Sequence, residues 1–261
     1  MMKFFHPYHL VTESPWPLIG SLSLIIMMVG VIDWFYNYNY FIMILGYILL
    51  MMMMFQWWRD VIRESTYQGN HTMMVIKGLR FGMVLFILSE VMFFVSFFWT
   101  YFHMFLSPSV DIGGIWPPKL VLIFNSFNIP LLNTLILLSS GGFITWCHYS
   151  ILNNMYKSSL ISLLITLLLG YLFMIFQYLE YFESYFTISD SVYGSIFFVM
   201  TGFHGLHVMI GTVFILISFI RLMYKHFSLY HHFGFESSSW YWHFVDVVWL
   251  FLYIFVYWMS S

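Results

Sequence analysis

Between Phe81 and Phe102 the chain carries one formally charged side chain, Glu90. At about 1.5 Å of rise per residue, a helix over that stretch is roughly 33 Å long, enough to cross the hydrocarbon of a bilayer. The pattern recurs. Bounding each apolar run by its nearest charges or Gly, Pro and Asn clusters gives seven spanning segments, at 15–36, 40–62, 73–106, 127–152, 157–181, 191–223 and 236–258. Trp57 and Trp58, followed by Arg59, mark where the second segment leaves the hydrocarbon. Hydrophobic residues make up 61% of the chain and charged residues 8%, against about a quarter charged in soluble domains, so this is an integral membrane protein of all-α class. No cleavable leader stands apart at the start, and the chain is expected to insert as it is.

An odd number of spans places the two termini on opposite sides, and the cations say which side is which. Lys3, Arg59, Arg63, Lys77, Arg80, Lys157, Arg221 and Lys225 fall on the N-terminal side, and Lys119 alone falls opposite. That asymmetry puts the N-terminus in the matrix or cytoplasm. Asp33, Asp111, Glu180, Glu183 and Asp190 lean to the far side, though acids weigh little in the rule. The longest connection, Ser107 to Asn125, holds Pro108, Gly113, Gly114, Pro117 and Pro118 and reads as an ordered interfacial loop. A net charge of −2 gives no reason to invoke nucleic acid. The single Cys147 excludes an internal disulfide and a thiolate-rich metal cage. Twenty Met, 31 Phe and 19 Tyr suggest an AT-rich reading frame, which points to an organelle genome.

Five ionisable groups fall at mid-depth: Glu90 on the third span, His204 and His207 on the sixth, His243 and Asp246 on the seventh. Such groups act as proton relays, ligands or lipid contacts, or else tie helices together by hydrogen bonds. The residues three and four positions from Glu90 are Phe86, Ile87, Phe93 and Phe94, so its partner must come from another helix or from lipid. Thr201, His204 and His207 are the candidates, and burial favours the neutral, protonated carboxyl. His204 and His207 lie three apart on one helix face, as do His243 and Asp246. That spacing suits a side-on metal but cannot ligate both faces of a haem, so a chain without cofactor or metal is the preferred reading. His148, His231, His232 and Glu236 share the N-terminal side and could collect only adventitious zinc. The collar of Trp57, Trp58, Arg59, Arg63, His71, Lys77, Arg80, Arg221, Lys225 and His226 orients the helices first and meets anionic lipid second, with Arg63 the foremost lipid ligand. Arg59 and Arg63 each precede an acid without necessarily pairing with it. Gly202, Gly205 and Gly211, with Thr201 and Thr212, read as close helix packing.

The stretches HPYHLV and SPWPL near the start, QWWRDVIRESTYQGNHT from Gln56, KGLRFGMVLFILSEVMFF around Glu90, WPP, PLLNT, FTISDSVYGS, GFHGLHVMIG, HHFGFE and WYWHFVDVVWLFLYIFVYW span nearly the whole chain. In them the sequence resembles subunit III of the mitochondrial haem-copper cytochrome c oxidase. The resemblance implies seven helices, a two-helix bundle over 1–66 and a five-helix bundle over 73–261, separated by a V-shaped cleft that holds phospholipids. It implies a core subunit without catalytic residues in the enzyme that oxidises cytochrome c, reduces oxygen to water and pumps protons. Haem a and copper would lie in other core subunits. The subunit would pack on subunit I, contact subunit II and supernumerary subunits, support proton uptake and line a lipid-filled oxygen route. The membrane implied is the mitochondrial inner membrane, with the N-terminus in the matrix and the C-terminus in the intermembrane space. Carried over residue by residue, the buried carboxyl is Glu90 and the lipid contacts are Trp58, Arg63, His71, Arg80, Arg221 and His226. A stand-alone proton or ion transporter is the physical rival, motivated by Glu90, His204, His207 and Asp246, but no pair of interrupted helices in repeated halves is visible. A seven-helix receptor conflicts with an N-terminus on the cation-rich side.

Overall fold

A computed structural model describes residues 6–110, 113–119 and 121–260; Lys3 and Asp111, both used in the charge argument, lie outside the described residues. The chain forms α1 (Trp16–Asn37), α2 (Phe41–Thr66), α3 (Met73–Leu106), α4 (Ile129–Leu152), α5 (Tyr156–Phe182), α6 (Val192–Met223) and α7 (Phe233–Leu252), the last continuing as a π-helical turn at Tyr253–Trp258. Among the described residues all seven are long and apolar enough to span a membrane. Helices are required there, because lipid offers backbone amides no partner. Local chemistry sets the ends. Pro17 and Pro130 occupy first turns, where their missing N–H costs nothing. Ser191 caps α6 by accepting from Gly194 N. Tyr38, in the left-handed region at φ 55°, closes α1 on the Trp34 carbonyl.

Two compact units result, Met1–Leu79 and Arg80–Ser261. The first is built on the α1·α2 hairpin, whose backbones nearly touch. A Cβ at Gly30 would stand 2.2 Å from Met43 N, and one at Gly46 would stand 2.5 Å from Met27 N. Contact this close is how helices gain dispersion energy in lipid, where no hydrophobic drive separates a side chain from a tail. The start of α1 is fastened to the end of α2 by Trp16 Nε1 donating to Asp60 (2.9 Å), and the segment before it by His9 on Glu64 (3.1 Å).

In the second unit α5 lies against α4 and α6, and α7 lies against α4 and α6. The core is aromatic: Trp242, Trp249, Tyr101, Tyr193, Tyr257, Phe94, Phe173 and Phe197 are fully buried. Trp242 is the wedge. A Cβ at Gly170 or at Gly211 would come within 2.9 Å of its ring, and its Nε1–H donates to Ser140 Oγ on α4 at 2.8 Å. Gly211 therefore does the packing expected of it, whereas Gly205 has no such neighbour among the described residues. The α3 residues reach this core through Tyr101, whose hydroxyl donates to the Phe255 carbonyl (2.6 Å) and meets Ser260 Oγ (2.8 Å).

Candidate functional site

The partner of Glu90 is His207: its Nε2 lies 2.9 Å from Glu90 Oε2. The imidazole Nδ1 lies 2.7 Å from the Phe203 carbonyl, which can only accept, so Nδ1 carries a hydrogen. One further proton must lie between Nε2 and the carboxyl, and the pair is net neutral wherever that proton resides. Phe93, Phe94, Tyr241 and Phe244 ring the imidazole, leaving His207 8% exposed. Such a dry surround disfavours separated charges, so the neutral carboxyl donating to the imidazole is the form the geometry favours. The other mid-depth groups make contacts of their own. His204, 1% exposed, lies 3.2 Å from the Val245 carbonyl, with Phe173 and Trp249 packed on its ring. His243 Nδ1 stands 3.8 Å from Asp246 Oδ2, beyond hydrogen-bond reach, and that oxygen abuts Gly141.

A second polar layer lies at the N-terminal-side ends of the helices in the Arg80–Ser261 unit. Arg80 clamps Glu236 with two parallel bonds, Nε to Oε2 at 2.8 Å and Nη2 to Oε1 at 2.7 Å. His232 Nε2 stands 3.2 Å from Oε1 of the same carboxylate and 3.3 Å from His148 Nε2. The hydrogen bond to Glu236 raises the pKa of His232 above its ordinary value, against the opposing effect of burial. Nearby, Arg221 lays its guanidinium 4.7 Å from the Phe227 ring centre and presses on Gly234, where a Cβ would meet Nη1 at 2.2 Å. Its Nε has no hydrogen-bond partner among the described residues. Burial, then the Arg221 charge, lowers the pKa of His226, and the same two causes lower that of His231.

In the Met1–Leu79 unit, Trp58 is 62% exposed and Arg63 is exposed, while His71 is half-buried beside His9. Arg59 does pair with Asp60 through Nε (3.1 Å) and Nη2 (3.0 Å), and Glu64 goes to His9, so the acid following Arg63 is engaged elsewhere. Two carboxylates that periodicity did not single out as paired turn out to be so. Glu236 closes on Arg80, and Glu180, 1% exposed at the end of α5, accepts from Tyr257 at 2.6 Å. The HHFGFE stretch carried a signal for the first in its four-residue His232–Glu236 spacing; nothing marked the second.

Seven spanning helices crossed by buried polar pairs such as Glu90–His207 and Arg80–Glu236 define a polytopic membrane subunit. The family model described as cytochrome c oxidase subunit III matches residues 6–261. Cytochrome c oxidase subunit 3 of Aedes aegypti is 56% identical over 256 residues, covering 98% of each chain, and that of Drosophila melanogaster is 55% identical with the same coverage. The protein of the same name from Pisaster ochraceus is 56% identical over 260 residues and 100% of each chain. The chain belongs to the cytochrome c oxidase subunit III family, a core subunit of the terminal oxidase of the respiratory chain. The family carries no redox centres. The chain is a multi-pass protein of the mitochondrial inner membrane.

Proposed function

We propose that within cytochrome c oxidase this chain stabilises subunit I, holds phospholipid head groups and supports proton uptake, with no catalytic residue of its own. The N-terminus lies in the matrix and the C-terminus in the intermembrane space, on the strength of eight cations against one. Contacts with subunit II and the supernumerary subunits belong to the same reading. The observation that carries the lipid role is Arg221, a half-buried guanidinium at the end of α6 whose Nε has no acceptor among the described residues, a setting that suits an anionic phosphate. Beside it, His226 Nδ1 likewise has no partner among the described residues. In the Met1–Leu79 unit, Trp58, Arg63 and His71 supply further polar and aromatic contacts, and in the Arg80–Ser261 unit Arg80 contributes what remains of its guanidinium beyond Glu236. Glu90 and His207 act as a structural pair that tunes its surroundings, and His204, His243 and Asp246 serve the bundle in the same way.

The test is the phospholipid retained by the purified oxidase after detergent washing. The Arg63→Ala, Arg221→Ala variant should lose bound phosphorus relative to wild type; retention of the full wild-type complement would overturn the assignment. Proton flux through the chain reconstituted alone in vesicles, abolished by Glu90→Gln, would instead favour the transporter.

A further inference from the structure

The side chains of His148, His232 and Glu236 each present one ligand atom, and all three atoms lie within 4.8 Å of one another. They come from distant parts of the chain: His148 from the last turns of α4, His232 from the N-cap of α7 and Glu236 from the first turn of α7. The measured separations are 3.3 Å between the two Nε2 atoms and 3.2 Å from His232 Nε2 to Glu236 Oε1. A tetrahedral zinc with bonds of 2.0–2.1 Å holds its ligand atoms about 3.3–3.4 Å apart. Two of the three edges already have that length.

The hydrogen-bond chemistry points the same way. His232 Nδ1 is committed to the Ser228 carbonyl at 3.1 Å, which fixes the ring and turns Nε2 inward, the outer-shell contact typical of a metal-bound imidazole. With Nδ1 so used, Nε2 can donate to Glu236 or accept from His148; it cannot do both with its single position. A dication at the centre accepts from all three atoms together. The carboxylate is held in plane by Arg80, which uses one lone pair of Oε1 and leaves another facing the histidines. His232 and Glu236 are buried and His148 is half-buried at the rim, so the arrangement has an entry side.

We propose that His148, His232 and Glu236 bind a borderline-soft dication of the zinc class, with Arg80 positioning the carboxylate. Two imidazoles select against magnesium and calcium, which require oxygen. Three protein ligands leave the fourth tetrahedral position to water. Bound metal would pin the end of α4 to the start of α7 on the cation-rich side, and the charge of Arg80 would hold affinity below that of a dedicated structural site.

The test uses the intact, chelator-treated oxidase. Zinc binding is measured by competition with a chromophoric chelator, in wild type and in His148→Gln, chosen because it leaves the Arg80–Glu236–His232 contacts in place. Wild type should bind one more zinc per complex than the variant, or bind it at least tenfold more tightly, with magnesium in excess unable to displace it. X-ray absorption of the difference should show two imidazole nitrogens and an oxygen at about 2.0–2.1 Å. Equal zinc stoichiometry and affinity in the two proteins would overturn the proposal. Should His148→Gln fail to assemble, His232→Gln in the same assay carries the same two outcomes.

Discussion

The Glu90–His207 contact makes a sharp prediction, because its two proton arrangements respond oppositely to one conservative change. Glu90→Ala removes the group that hydrogen-bonds His207 Nε2 and leaves that nitrogen without a partner among the described residues, on a residue 8% exposed among aromatic rings. An unsatisfied buried polar atom costs about 1–3 kcal/mol, which corresponds to roughly a 5- to 150-fold shift in the folding or association equilibrium. Glu90→Gln keeps a donor. Its amide N–H can point at Nε2 as the protonated carboxyl does, so the expected cost is below about 1 kcal/mol. The assay is thermal release of this chain from the purified oxidase, paired with infrared difference spectroscopy. Both variants should lose the C=O stretch of a protonated carboxyl. If Glu90→Gln proves as damaging as Glu90→Ala and no protonated-carboxyl band disappears, the proton resides on His207, the contact is an ion pair, and the argument from the dry aromatic surround fails.

Two further outcomes follow from packing and from the clamp on Glu236. Gly46→Val would place a side chain against Met27 N and Cα, backbone atoms that cannot swing aside, and overpacking of this kind costs about 1–3 kcal/mol; the α1·α2 hairpin should become protease-sensitive, while Gly142→Ala, with nothing within 4 Å, should not, and equal resistance would contradict the close-approach reading. Arg80→Met leaves Glu236, whose side chain is 9% exposed, with His232 alone, and because Arg80 itself is 43% exposed the loss should be about 1–3 kcal/mol rather than the full cost of a buried pair; calorimetric melting should show it, with part recovered by adding Glu236→Gln.

The helices are legible in the sequence because hydropathy acts locally: a run of apolar residues long enough to span declares itself without reference to the rest of the chain. Partners are not local. Periodicity marks Glu90 as a carboxyl in need of company but cannot say whether Thr201, His204 or His207 faces it, since that depends on the rotation of α6 about its own axis; in the event Thr201 takes Tyr181 and His204 takes a carbonyl. The extents of α2 and α7 show the same limit. Charged residues read as exits from the membrane, yet α2 runs on to Thr66 past Arg63 and Glu64, and α7 begins at Phe233, ahead of Glu236. A helix does not stop where the hydrocarbon stops, and Glu236 is wrapped by Arg80 rather than by water. The far-side acid count likewise gave Glu180 a side but no partner, because nothing nearby in sequence announces Tyr257.

Three polar side chains along α3 share a peculiarity of timing. Arg80 finds its acceptor 156 residues later, Glu90 its imidazole 117 residues later, and Tyr101 its two partners 154 and 159 residues later. When α3 leaves the ribosome and enters the bilayer, none of these partners has been translated. The helix must wait for α6 and α7 with its carboxyl unanswered at mid-depth, a state that lipid tolerates poorly, and with the guanidinium and the phenol nearer its ends still without their protein partners. A chain truncated before α6 would thus be more than incomplete. It would leave in the membrane a carboxyl whose partner on α6 never arrives.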